Sequence, residues 1–251
     1  MHVVAPFRTL AVVTTLLLAA EYSPAAAVKP AETAPSSIVI GFVGGFVRHD
    51  NLRHNPVLLA QRLRGADSPD TYVQVFENRH RKSAYQIILR LLDKNHDGVL
   101  SAEEKSRARI IIYGHSWGAS AAVLLAGDLR RAGIPVLLTV QVDSVAKPWQ
   151  NDAVIPDNVA EAVNFYQPHG VIHGRAQITA ADPVKTQILG NHLFDYKTDP
   201  VECPAPSWFD RHVTPSHAQS ECDPRLWSQV EDLVRQRLLP QFSAVAANPK
   251  P

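Results

Sequence analysis

Two short stretches carry residue types and spacings that could do chemistry. The first is Gly114-His115-Ser116-Trp117-Gly118, which has the form G-x-S-x-G. An apolar run, RIIIY from Arg109 to Tyr113, precedes it, and a segment rich in Ala and Ser follows. A serine between a strand and a helix in this pattern occupies a strained turn, so its hydroxyl projects above the sheet as a nucleophile. Glycines flank it because strand and helix backbones crowd one another there. The N-terminus of the following helix brings positive potential to a developing oxyanion.

The second stretch is DKNHDGVLSAEE, residues 93–104. Asp93, Asn95, Asp97, Gly98 and Glu104 satisfy D-x-[DN]-x-[DN]-G-x5-E at every defined position, the spacing of an EF-hand calcium loop. Val99 would offer its carbonyl, Ser101 a water-mediated contact, and Glu104 both carboxylate oxygens, while Gly98 permits the sharp turn. No second such loop is found in the sequence, and the exit helix predicted over Ala102–Arg107 is short. A sensor needs a second helix free to swing. The expected role is therefore a structural staple at the entry to the nucleophile strand. A polar, solvated turn is the alternative reading.

The elements that must position these residues alternate. The patterns predict strands at 38–43 (IVIGFV), Thr71–Phe76, Arg109–Tyr113, Pro135–Val142 and Val159–Tyr166. They predict helices from Asn55 to about Arg64, Ser83–Leu92, Trp117–Arg131 and Pro224–Leu239. Such alternation implies crossover units and a mostly parallel central sheet with helices on both faces. The nearly continuous apolar strands suit a sheet covered on both sides. One α/β domain is expected over residues 38–240, with no internal repeat.

With GHSWG set between strand and helix, the chain resembles the α/β-hydrolase superfamily, and its lipase and esterase branch most. The resemblance spans roughly 38–239 at the level of motif and element order. It implies an α/β-hydrolase fold and a catalytic order of Ser, acid, His. Ser116 is then the nucleophile. Asp143, directly after the fourth strand in VQVDSV, is the expected acid, with Asp182 as runner-up; Gln167-Pro168-His169-Gly170, one strand later, offers no carboxylate. His217, expected in a loop before the last helix, is the candidate base, with His212 and His192 as alternatives. The oxyanion donors implied are the amides of Trp117 and of Phe46, the latter in Gly44-Gly45-Phe46 after the first strand, where Gly44 stands in place of a common His. Asn164, Tyr166, Gln167 and Arg175 are candidates for the pocket rim.

The termini and cysteines bound the setting. Arg8, an apolar run from Leu10 to Ala20 and Ala25-Ala26-Ala27 read as a secretory signal peptide over 1–27, followed by a flexible leader, 28–37. Residues 241–251 read as a C-terminal tail. A secreted or periplasmic location is expected, with no transmembrane segment in the mature chain. Export permits disulfides, and Cys203 and Cys222 are the available pair. They bracket His217, so a bridge would restrain the loop that carries the base. Formal net charge is +1, which calls for no nucleic acid or acidic polymer as partner. The substrate expected is a small-molecule or lipid ester, with calcium and no organic cofactor, and no protein partner is indicated. The rival reading is a non-catalytic, calcium-dependent binding module on the same fold.

Overall fold

A computed structural model describes residues 1–2, 35–64, 70–204 and 208–239. Most of the predicted signal peptide and leader, and the whole predicted tail, lie outside the described residues. Ser36 already donates its amide to Asp70 O at 2.7 Å and Ser37 opens the first strand, so the ordered fold reaches into the end of the expected leader.

The chain runs β1 (Ser37–Val43), α1 (Asn55–Arg64), β2 (Thr71–Glu77), a 3₁₀ turn (Asn78–His80), α2 (Arg81–Leu92), α3 (Ala102–Ser106), β3 (Ile110–His115), α4 (Trp117–Arg131), β4 (Val136–Val142), β5 (Val154–Ile155), β6 (Val159–Tyr166), β7 (Thr179–Ala180), β8 (Gln187–Leu193), α5 (Trp208–His212), α6 (Pro215–Cys222) and α7 (Pro224–Leu238). A six-stranded sheet has the order β2-β1-β3-β4-β6-β8, and every neighbouring pair in it is parallel. β5 and β7 pair separately as a small parallel ribbon.

Side chains of successive strand residues face opposite sides of a sheet, and the two cores divide accordingly. Ile38, Ile40, Phe42, Ile110 and Ile112 pack with Ala84, Ile88 and Leu92 of α2 and with Ala122, Leu125 and Leu129 of α4. Val39, Val43, Ile111 and Tyr113 face the other way, against Val57, Leu59 and Leu63 of α1 and Leu226, Trp227, Val230 and Val234 of α7. Each such fully buried aliphatic side chain contributes about 1.5–3 kcal/mol relative to exposure. β3, buried along its whole length, therefore serves both cores and rigidly sets the height of its own C-terminus.

Strand order reverses direction between β1 and β3, with β2 outside β1 on one side and β4 outside β3 on the other. Ligands in open α/β sheets bind outside the carboxyl ends of strands at such a switch point. The loop after β1 and the turn after β3 both end there.

The short elements β5, β7 and α5 were not expected, and two larger departures bear on the site. β8 is a sixth sheet strand, and His217 lies on α6 rather than in a loop. QILGNHL forms an exposed edge with a register shift opposite Ala162 and Val163, so it shows neither a continuous apolar run nor a clean alternation. PSHAQSEC lacks an apolar stripe. Its helix is started by Pro215 in the first turn and tied at its end by Cys222.

Candidate active site

β3 delivers Ser116 to the top of the sheet, and α4 starts at the next residue. Ser116 has φ 56° and ψ −126°, a conformation side-chain-bearing residues rarely adopt. The crowding that motif glycines relieve is explicit here. A Cβ on Gly114 would lie 2.7 Å from the Ala119 nitrogen, and one on Gly118 2.8 Å from the Val43 carbonyl oxygen. Both contacts are with backbone, so no side-chain movement would relieve them.

Asp143 directly follows β4 and is fully buried, with φ 44°. Its Oδ2 lies 2.6 Å from His217 Nδ1, and His217 Nε2 lies 3.0 Å from Ser116 Oγ. A carboxylate only accepts, so Nδ1 carries the proton that faces Asp143. Nε2 is left as the acceptor for the serine hydroxyl. Asp143 also accepts from Gln167 Nε2 at 3.0 Å, from the Gln167 amide at 3.4 Å, from the Gly174 amide and from Ser220 Oγ at 3.2 Å. These donors converge on one buried side chain and fix its position behind the imidazole. The arrangement can draw a proton from Ser116 as its oxygen attacks and hold the resulting imidazolium beside a fixed negative charge.

The alternatives considered for acid and base lie elsewhere. Asp182 accepts the Val184 amide at 3.0 Å in an exposed turn. His192 sits on the edge strand β8, stacked on Phe165 with centroids 5.2 Å apart. The exposed His212 approaches Trp208 O at 2.9 Å within α5. Of the residues expected at a pocket rim, Asn164 and Gln167 are instead fully buried. Gln167 serves Asp143, while Arg175 pairs with the buried Asp152 at 2.6 Å.

A buried polar layer behind the base was not legible in the sequence. His115 Nε2 lies 3.1 Å from Ser220 Oγ, and His54 Nδ1 lies 2.5 Å from Glu221 Oε1. Burial pushes the His115 imidazole down to about 4, so it stands neutral at pH 7. Burial alone would raise the Glu221 carboxyl, but its hydrogen-bonded partner His54 helps to hold it below its ordinary range. The signal was present: Ser220 and Glu221 stand three and four residues after His217, on one face if the segment is helical.

His115, Asp143 and His217 offer atoms within 4.8 Å of one another. Both His217 nitrogens are nonetheless engaged, by Asp143 and Ser116, which accounts for this cluster without a metal.

The two residues expected to supply oxyanion donors meet in space. The Phe46 and Trp117 rings stand edge to face with centroids 5.6 Å apart. Trp117 is the first residue of α4, where helix amides have no intrahelical acceptor. Cys203 and Cys222 form a disulfide with Cα atoms 5.6 Å apart, fastening the end of α6, the helix that bears His217.

The loop at 93–104 joins α2 to α3. Gly98 has φ 81°, as its sharp turn requires. Asp93 Oδ2 accepts the Gly98 amide at 3.0 Å, and Asp97 Oδ1 the Val99 amide at 2.8 Å. Glu104 accepts the Lys94 and Ser101 amides, each at 2.8 Å, and closes a capping box on α3. The Ser101 backbone and hydroxyl, with the Lys94 amide, hold the Glu104 carboxyl down at about 2. Asp93 Oδ1 is buried without a hydrogen-bond partner. An all-oxygen donor set with one orphaned carboxylate oxygen fits a hard cation such as Ca²⁺.

The sheet order, the turn after β3 and the placement of Ser116, Asp143 and His217 define an α/β-hydrolase fold. Residues 64–183 match the family described as Lipase (class 3). No curated protein matches the chain. Solved structures similar to it include RedJ thioesterase from the prodiginine biosynthetic pathway of Streptomyces coelicolor, at 12% identity and TM-score 0.38, covering 84% of this chain and 98% of that one. An acetyl xylan esterase is 11% identical with TM-score 0.40, covering 82% and 99%. A cutinase-like protein from Cryptococcus sp. is 12% identical with TM-score 0.40, covering 83% and 97%.

Proposed function

We propose that this chain is a serine hydrolase that cleaves an ester-like acyl bond, of esterase or lipase type. The observation that carries this reading is the hydrogen-bonded series Ser116–His217–Asp143 at the switch point of the sheet. The match to the class 3 lipase family over 64–183 supports the ester as substrate class.

In this mechanism Ser116 Oγ attacks the substrate carbonyl carbon while His217 Nε2 takes its proton. The carbonyl oxygen becomes an oxyanion held by the Trp117 and Phe46 amides. When the intermediate collapses, the C–O bond to the alcohol breaks and His217 returns the proton to the leaving oxygen. Water then enters, gives a proton to His217 and releases the acid, and Ser116 regains its hydrogen. Asp143 keeps the imidazole in the required tautomer and stabilises its charged form throughout.

Two further parts belong to the proposal. The protein is exported, on the strength of the signal-like segment at 1–27; no helix of the described residues is long and apolar enough to cross a membrane. Calcium binds at Asp93, Asn95, Asp97, Val99, Ser101 and Glu104 and fixes the approach to β3, with no part in bond making; the orphaned Asp93 oxygen supports this.

Release of p-nitrophenol from short and long acyl esters tests the reading. Wild type should turn over at least one chain length and Ser116→Ala none. Equal rates in the two proteins would refute a role for Ser116.

A further inference from the structure

The amide of Phe46 shares a peptide unit with the carbonyl of Gly45, and that carbonyl is held in place. Residues Gly44–Val47 form a β-turn closed by Val47 N–H donating to Gly44 O at 3.2 Å. Gly45 has φ 46°, and Phe46 is not among the residues with positive φ, the pattern of a type II′ turn. The central peptide of such a turn is its weak point. Rotating it by about half a revolution gives a type I′ turn and carries Phe46 to positive φ, which a side-chain-bearing residue resists by only about 1–2 kcal/mol. The turn alone therefore holds the Phe46 amide weakly.

A side chain outside the turn fixes it. Asn78, buried in the 3₁₀ turn after β2, donates from Nδ2 to Gly45 O at 2.6 Å and to Val43 O at 3.3 Å. The carbonyl and N–H of a trans peptide point in opposite directions. Drawing Gly45 O toward Asn78 therefore turns the Phe46 N–H away from it. Among the described residues that amide has no acceptor. The turn itself abuts the nucleophile, since a Cβ on Gly44 would lie 2.8 Å from Ser116 Cβ.

The orientation of the Asn78 amide is fixed from its other side. Lys147 Nζ lies 2.6 Å from Asn78 Oδ1, and an ammonium can only donate, so Nδ2 must face the carbonyls. The same Nζ stands 4.8 Å from the centroid of the Trp117 ring. One linkage thus runs from the residue bearing one expected oxyanion donor, Trp117, through Lys147 and Asn78 to the peptide bearing the other.

We propose that Asn78 is a positioning residue for the acyl-transfer reaction. It sets the Gly45–Phe46 peptide so that the Phe46 amide faces the carbonyl oxygen of an acyl group bound at Ser116, and Lys147 holds Asn78 in that orientation. The inference rests on the serine hydrolase reading above.

The test compares wild type with Asn78→Ala and with Asn78→Asp, which keeps the size and the Lys147 contact but loses the donor. Active sites are counted with a fluorophosphonate. Turnover of p-nitrophenyl butyrate is then expressed per titrated site, and inhibition by phenylboronic acid, which forms a tetrahedral adduct, is measured alongside. We expect kcat per site to fall on the order of 10- to 100-fold. KM should stay within about twofold, and boronate affinity should fall in parallel with kcat. An unchanged kcat per site, with only the number of titratable sites or the melting temperature reduced, would overturn the proposal and leave Asn78 a structural residue. If neither variant folds, Lys147→Met carries the test, with a several-fold loss of the same kind expected and an unchanged kcat per site overturning it. A wild type that takes up no fluorophosphonate would remove the hydrolase reading itself, a result distinct from any difference among the variants.

Discussion

The imidazole of His115 packs against that of His217 with ring centroids 4.8 Å apart and planes tilted by 31°. One ring is the proton carrier of the proposed reaction; the other is buried and cannot easily become charged. Two cationic imidazoles at that separation would repel, and a neutral His115 avoids that repulsion.

His115 gives the fold an acid-side weakness. Burial lowers its folded-state value to about 4, against about 6.5 in an unfolded chain. Between these values the unfolded state binds more protons. Stability is therefore complete above about pH 6.5 and is lost as pH falls toward 4, by about 3 kcal/mol in all. Glu221, whose carboxyl is also held down, loses stability in the same direction at lower pH. Melting temperatures at several pH values check this: the slope between pH 6.5 and 4 should flatten in His115→Gln. An identical slope in the variant would show that other groups cause it.

Ser220 should matter through Asp143. Its single hydroxyl proton is shared between Asp143 Oδ2 at 3.2 Å and His217 O at 2.7 Å, and its oxygen also meets His115 Nε2. Ser220→Ala leaves the carboxylate its other donors, so about 1 kcal/mol is expected to be lost, near fivefold in kcat/KM. Asp143→Asn offers the imidazole a different hydrogen-bonding partner and should cost about 10⁴ in kcat. Steady-state kinetics on the two variants separate these magnitudes.

The disulfide should act on both stability and the base. Cys203 and Cys222 are separated by 19 residues, a closure worth about 3 kcal/mol in the chain-entropy view. Reduction, or the double change to serine, should lower the melting temperature. It should also slow turnover, because α6 carries His217. Loss of stability with unchanged turnover would mean that α6 is held by its other contacts alone.

Calcium should stabilise the protein and leave the chemistry alone. For a loop affinity of about 10⁻⁴ to 10⁻³ M, 10 mM calcium adds roughly 1.4–2.7 kcal/mol. The melting temperature should rise with calcium in wild type and not in Asp97→Ala. An equal rise in both would remove the site.

How far the sequence disclosed the site depended on whether a requirement was local. GHSWG was readable because its residue types sit within five positions, although only the crowding at Gly114 is local and Gly118 is pressed by β1 backbone at Val43. Asp143 drew notice because it directly follows a nearly continuous apolar strand. His217 was chosen by order along the chain, but its helix was not foreseen: PSHAQSEC buries only Ser216 and Ser220 and shows no apolar stripe. It is tied from outside by the disulfide to Cys203 and by Ser220 at Asp143, and from within by Ser220 at His217 O. β8 escaped for a related reason, since an exposed edge strand leaves no hydrophobic pattern. Asn78 follows a strand as an ordinary turn residue would, and only the fold brings it to Gly45 O.

The central claim is that Ser116 is an activated nucleophile. Intact-mass analysis after treatment with a fluorophosphonate tests it most directly, because the probe needs an activated serine and little knowledge of the substrate. The account predicts one adduct per chain, mapped to Ser116 and absent from His217→Ala. A folded protein that takes up no label, or takes it up elsewhere than Ser116, would contradict it and favour a binding role for the same fold.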